Sequence, residues 1–179
     1  DKILTDERWD MKFIGMQIVI EGLALSAFAT ARETTPDPVL KDVVYLVTRD
    51  EARHVTFGVN YLEEFIKTMS DEEREERAQF AYEACAISRE RLVATDVFRY
   101  FGWDVEEARK KVLDGFVMST FRNLLFQRVI PNLGRIGLLT DKVRPKFESL
   151  GILDYENLAT DGDIDWSVLE RPLDTEEAQ

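Results

Sequence analysis

Residues 34–38 read TTPDP, from Thr34 to Pro38, and the chain reads outward from this turn in both directions. Proline lacks an amide hydrogen and holds the residue before it in extended backbone, so the segment ends any helix that enters it. Upstream, Phe13, Ile14, Ile18, Leu25 and Phe28 recur at helical spacing, which predicts a long helix from about residue 6 to 33. Downstream, Asp37 is a good N-cap and Pro38 suits a first helical position, so a second helix is expected from Pro38 to about Met69. So short a connection makes the two helices antiparallel neighbours.

The remaining sequence continues in the same style. Ser70 and Glu73 have the spacing of a capping box and open a third helix, expected to run to about Phe101, where Gly102 stops it. Asp104 and Glu107 repeat that spacing and open a fourth, expected to run to about Ile130, where Pro131 breaks it. A shorter segment, PNLGRIGLL, leads to a small helix near Thr140 to Ser149. No strand alternation of useful length and no internal repeat is present. The reading is all-α: a bundle of four long helices with a short C-terminal helix within residues 1–150. Residues 151–179 form an acidic, partly irregular tail that Trp166, Val168 and Leu169 could dock.

A chain of 179 residues suffices for one domain with a real core. Its net charge of −12 is uneven, because residues 154–179 hold nine acids against Arg171 alone. An acidic balance argues against a nucleic-acid partner, whose phosphates are bound largely by Lys and Arg. The single cysteine, Cys85, excludes an intramolecular disulfide and a Cys-based metal site, and its apolar helical setting reads as a buried, inert thiol. We expect no membrane span and no signal peptide, hence a cytoplasmic protein. The chain starts at Asp1 rather than Met, which reads as a processed protein or part of a longer one.

Two features of the hairpin do not fit plain packing. Glu21 is the only charge between Ile18 and Ser26, with Ile18 and Leu25 on its own helical face. A buried carboxylate is costly unless it is paired, hydrogen-bonded, protonated or bound to a metal. A buried arginine partner, or a proton, remains the alternative to a metal.

The second feature is the stretch RDEARHVTFG, residues 49–58, which contains His54, the only histidine in the chain. Glu51 and His54 are three apart and project from one helical face. Val44, Val47, Val55, Gly58 and Leu62 lie on or beside that face, which makes it core-directed. Gly58 costs about 1 kcal/mol of helix stability relative to Ala, a cost easier to accept where another helix or a ligand comes close. Glu21 lies 15 residues before position 36 and Glu51 lies 15 after it. At about 1.5 Å per residue both stand roughly 22 Å from the turn, at one level of the hairpin. Two carboxylates and an imidazole can therefore converge in an apolar interior, a donor set that suits iron or manganese better than copper or structural zinc.

A lone Glu on one helix followed by D-E-x-R-H on the next resembles the second half of a ferritin-like di-iron carboxylate protein. That superfamily includes ribonucleotide reductase small subunits, bacterial monooxygenase hydroxylases, acyl-carrier-protein desaturases and ligand-binding oxidases. The resemblance covers about residues 10–65. It implies that Glu21, Glu51 and His54 ligate one of two iron ions, or an iron and a manganese. It also implies that Asp50 hydrogen-bonds the histidine of the other half, that Arg53 pairs with nearby carboxylates, and that Gln17 supports Glu21 from one turn away. The reaction implied is dioxygen-dependent oxidation or hydroxylation of a substrate the sequence does not name, with an electron donor as a further partner. Leu25, Phe28 and Phe57 are candidates to line a cavity around the oxidant.

One histidine cannot supply a site that needs two. Either an N-terminal half carrying the first Glu and E-x-x-H is missing, or a homodimer partner contributes a second copy of Glu21, Glu51 and His54. The missing half is favoured, because two more long helices are expected to follow the hairpin. A ferroxidase or iron-storage role is the alternative function, and a non-catalytic helical scaffold is the reading if the chain is full length.

Overall fold

In the computed structural model, which describes residues 2–163, no strand occurs among the described residues. A short helix, α1 (Lys2–Thr5), precedes a continuous helical rod from Trp9 to Thr34. Three segments make up this rod: α2 (Trp9–Phe13), a π-helical stretch (Ile14–Ile20) and α3 (Glu21–Thr34). The wider π turn is rare and frequently marks functional sites. Here it ends at the residue before Glu21. Beyond the turn runs α4 (Pro38–Ile66), with Asp37 accepting from the amides of Val39 at 2.9 Å and Leu40 at 3.3 Å. As the TTPDP segment predicts, the rod and α4 form a helical hairpin, and the α3–α4 pairing is the most extensive among the described residues. Ile14, Ile18 and Leu25 from the rod and Val55, Val59 and Leu62 from α4 are buried in the common core.

Helix α5 (Asp71–Arg91) opens with the expected capping box: the Glu73 amide donates to Ser70 Oγ and the Ser70 amide to Glu73 Oε2. It packs on the π segment, and its Ala78, Ala81 and Cys85, small side chains at helical spacing, are fully buried in the core. Burial pushes the Cys85 thiol far above its ordinary pKa, so it is the inert thiol expected. A buried ion pair, Arg77 Nε to Asp10 at 2.7 Å, fastens α5 to α2.

After α5 the chain departs from expectation. In place of the end of the third helix and one long fourth helix there are α6 (Thr95–Tyr100), α7 (Val105–Asp114), α8 (Phe116–Leu124) and α9 (Val129–Arg135), while α10 (Arg144–Ser149) falls where the small helix was expected. The third helix ends ten residues before Phe101, because Ala94 turns left-handed at φ 47° and breaks the hydrogen-bond ladder. The fourth is interrupted at Gly115, which is extended (φ −68°, ψ 124°). Pro131 breaks nothing. It lies in the first turn of α9, where the missing amide hydrogen has no intrahelical acceptor to lose. Asp104 caps α7 by accepting from the Glu107 amide at 2.8 Å.

By length and composition the rod Trp9–Thr34 is apolar enough to cross a membrane, because Glu21 is its only charge between Phe13 and Ala31. Its buried face packs on α4, α5 and α9, as in the core helix of a folded domain.

Part of the acidic segment is fixed on the body. Ile152 joins the core, and Asp161 is buried in a 3₁₀ turn (Asp161–Asp163) against α4 and α9. The Asp161 carboxylate accepts from Arg128 and from Asn132 Nδ2 (2.7 Å), its amide donates to Asn132 Oδ1, and its carbonyl accepts from Thr56 Oγ1 at 2.7 Å. Arg135 adds bonds to Glu63, Asn60, Thr160 and Asp163. Trp166, Val168 and Leu169, the expected docking residues, lie outside the described residues.

Two stability measurements follow. Asp161→Ala strands the buried Asn132 amide, whereas Arg128 is 40 % exposed and can rehydrate. Urea denaturation should show a loss of about 1–3 kcal/mol. Ala94→Gly removes the left-handed penalty at a smaller cost in unfolded-chain entropy, and should gain about 0.5–1 kcal/mol.

Candidate metal centre

Glu21 is the first residue after the π segment, and Glu51 and His54 stand one turn apart on α4. The hairpin brings them together: one ligand atom from each lies within 4.8 Å of the others. The equal 15-residue arms therefore place the two glutamates at one level, as the helical rise requires. His54 Nδ1 is 3.3 Å from Glu51 Oε2.

The three side chains differ in exposure. Glu21 is partly buried, and its Oε2 is shut from solvent with no hydrogen-bond partner. That oxygen accepts from no arginine among the described residues. Burial raises the Glu21 pKa above the usual carboxylate value, and the Glu51 charge raises it further, while His54 partly offsets both. Glu51 is half-buried and His54 is 59 % exposed, so the group opens toward the outer face of α4.

The other expected residues divide. Gln17, one turn before Glu21, buries its Oε1 with no partner and lies directly against Gly58. A Cβ on Gly58 would stand 2.6 Å from Gln17 Cβ, so the mid-helix glycine marks a close approach, as its cost suggested. Asp50 and Arg53 are exposed and pair with each other at 3.2 Å, flanking the three-residue group rather than joining it. Leu25 is core and Phe28 is half-buried. Phe57 is 59 % exposed and stacks on Tyr61 at 5.7 Å, so it lines no enclosed cavity. It falls one residue off the buried Val55–Gly58–Leu62 stripe and faces out. Val47, also placed with the core face, is 37 % exposed.

One feature escaped the sequence reading. Leu40, Val43, Val47, Asp50, His54, Phe57 and Tyr61 repeat at alternating intervals of three and four along α4, and all are exposed. That period makes a single seam, the pattern of a helix that packs on another helix. Its signal was in the spacing, but the inner stripe of the same helix obscured it.

The raised Glu21 pKa has a stability consequence with a definite sign. Glu21 binds its proton more tightly folded than unfolded, so its favourable contribution is complete below the unfolded value and is lost as pH rises through the folded one. In metal-free protein Glu21→Gln should therefore raise Tm at pH 7 by about 2–4 °C for each kcal/mol relieved. The gain should vanish below pH 4, and a thermal melt series across pH reads it directly.

Comparison of the chain with protein-family models, with curated proteins and with solved structures returned no match.

Proposed function

We propose that this chain supplies half of a carboxylate-bridged two-metal centre, iron or iron–manganese, in a dioxygen-dependent oxidoreductase of the ferritin-like class. One observation carries the reading: Glu21, Glu51 and His54 converge within 4.8 Å, and the most buried of their oxygens, Glu21 Oε2, has no partner. A cation satisfies that oxygen and reverses the burial cost that raises the carboxyl pKa. Two carboxylates with one imidazole fit the donor preference of iron or manganese.

Glu21, Glu51 and His54 would hold the metal, with Glu21 approaching from the rod and the other two from α4. The bound pair supplies redox chemistry with dioxygen, which the protein's own side chains cannot provide. The chain contributes placement: the hairpin sets the level of the ligands, the apolar residues around Glu21 exclude water from one side, and Gln17 packs beneath. The other side is open. The remaining ligands come across the exposed seam of α4, from helices outside this stretch or from a second copy. Asp50, exposed within that seam, is placed to meet a histidine arriving there.

Purified full-length protein from iron-replete cells should contain iron or manganese, about two ions per complete centre. Glu51→Ala and His54→Ala should each lose most of that metal while keeping their helical circular dichroism. A folded, metal-free wild type sinks the proposal. Excess Fe(II) oxidised into a mineral core, without turnover of an organic substrate, would move the function to iron storage.

A further inference from the structure

Apolar surface is driven out of water in proportion to its area, so large aliphatic side chains left exposed inside one concavity favour an apolar ligand. Ile20 and Ile87 are 43 % and 57 % exposed, and both line a cavity between the π segment and α5. Its volume is about 390 Å³, within the range of about 300–1,000 Å³ usual for small-ligand sites. Phe80, Ala84 and Ile87 line it from α5, at intervals of four and three that keep them on one helical face. Val19 and Ile20 line it from the rod. One end is closed: a Cβ on Gly15 would stand 2.6 Å from Ile3 Cδ1 and 3.5 Å from Phe80 Cζ. Arg91 lines the cavity eleven residues beyond Phe80 on α5, about 16 Å along the helix. Ser88 stands one turn before it, and neither side chain has a hydrogen-bond or ion-pair partner among the described residues. The remaining polar group, Glu83, lies nearer the closed end and accepts from Gln79 Nε2 at 3.0 Å.

We infer that this cavity binds a single-chain amphiphile with a carboxylate head, its chain along the Phe80–Ile87 wall and its head on Arg91 and Ser88. The chain covers Ile20 and Ile87, which the protein leaves in water. The guanidinium fork takes both oxygens of a carboxylate, and the Ser88 hydroxyl can donate to one of them. Charge fixes the orientation, because the Glu83 carboxylate repels an anionic head from the closed end and Arg91 attracts it to the other. A cationic head meets Arg91 as a like charge. None of Glu21, Glu51 and His54 lines the cavity, so the site is separate from the metal-binding group.

The test is calorimetric titration of the full-length protein with decanoate, kept below the concentration at which it aggregates. Decanoate should bind one to one, with the negative heat-capacity change of a buried apolar chain. Arg91→Gln should weaken decanoate about tenfold, the loss of one charge-assisted contact, and leave decanol binding unchanged. Ala84→Trp fills the cavity from a half-buried position and should abolish binding of both ligands. Arg91 is exposed, so its variant tests the head contact whether or not Ala84→Trp folds. Decyltrimethylammonium should bind wild type at least about tenfold more weakly than decanoate does. Glu51→Ala should bind decanoate as wild type does, and loss of binding in that variant would put the ligand at the Glu21 group and overturn the inference. No binding of decanoate to wild type overturns it too, as does equal decanoate affinity in wild type and Arg91→Gln.

Discussion

The close packing of the Trp9–Thr34 rod against α4 is the constraint on which the rest of the structure depends. Gly58 permits it by leaving room for the Gln17 side chain, and Gly22 separately admits Val129 from α9, where an added Cβ would stand 3.1 Å from Val129 Cγ2. Gly22 follows Glu21 directly and Gly58 lies one turn beyond His54, so both close approaches flank the carboxylate–imidazole group. A larger residue at Gly58 would separate the rod from α4 and pull Glu21 away from Glu51. The glycines lower helix propensity where helix continuity matters most, which is reasonable only if the approach they allow is itself needed.

Around this hairpin ionic contacts add to the apolar core in tying distant segments together. Asp10–Arg77 holds α5 to the rod, and the Asp161 network holds the end of the described chain to α4 and α9. Each buried charge in these ties has a partner. Glu21 is the exception, since its Oε2 is buried with no hydrogen-bond partner.

How much could be read in advance depended on the range of the interactions involved. Asp37, Ser70 and Glu73 act over three residues, and their caps form as their spacing predicts. Glu21, Glu51 and His54 were legible because a tight turn and a constant helical rise convert sequence distance into height. The breaks at Ala94 and Gly115 were not. Alanine carries no left-handed signal, so only packing beyond the helix can hold it at φ 47°. Pro131 was a true signal read in the wrong direction, since proline serves at a helix start as well as at a break.

Spacing along the chain therefore sufficed for the all-α class, for the hairpin and for bringing three chemically matched side chains to one level. It could not say which helix face meets a neighbour. Phe57 and Val55 are two residues apart with equal claims to the core by type, yet one is exposed and the other fully buried. Nor could it bring Asp161 to Thr56 across 105 residues. Periodicity records which residues share a side of a helix, because that follows from local geometry. What covers each side, and which charges lose their water there, follows from contacts between distant segments, and those belong to the folded chain as a whole.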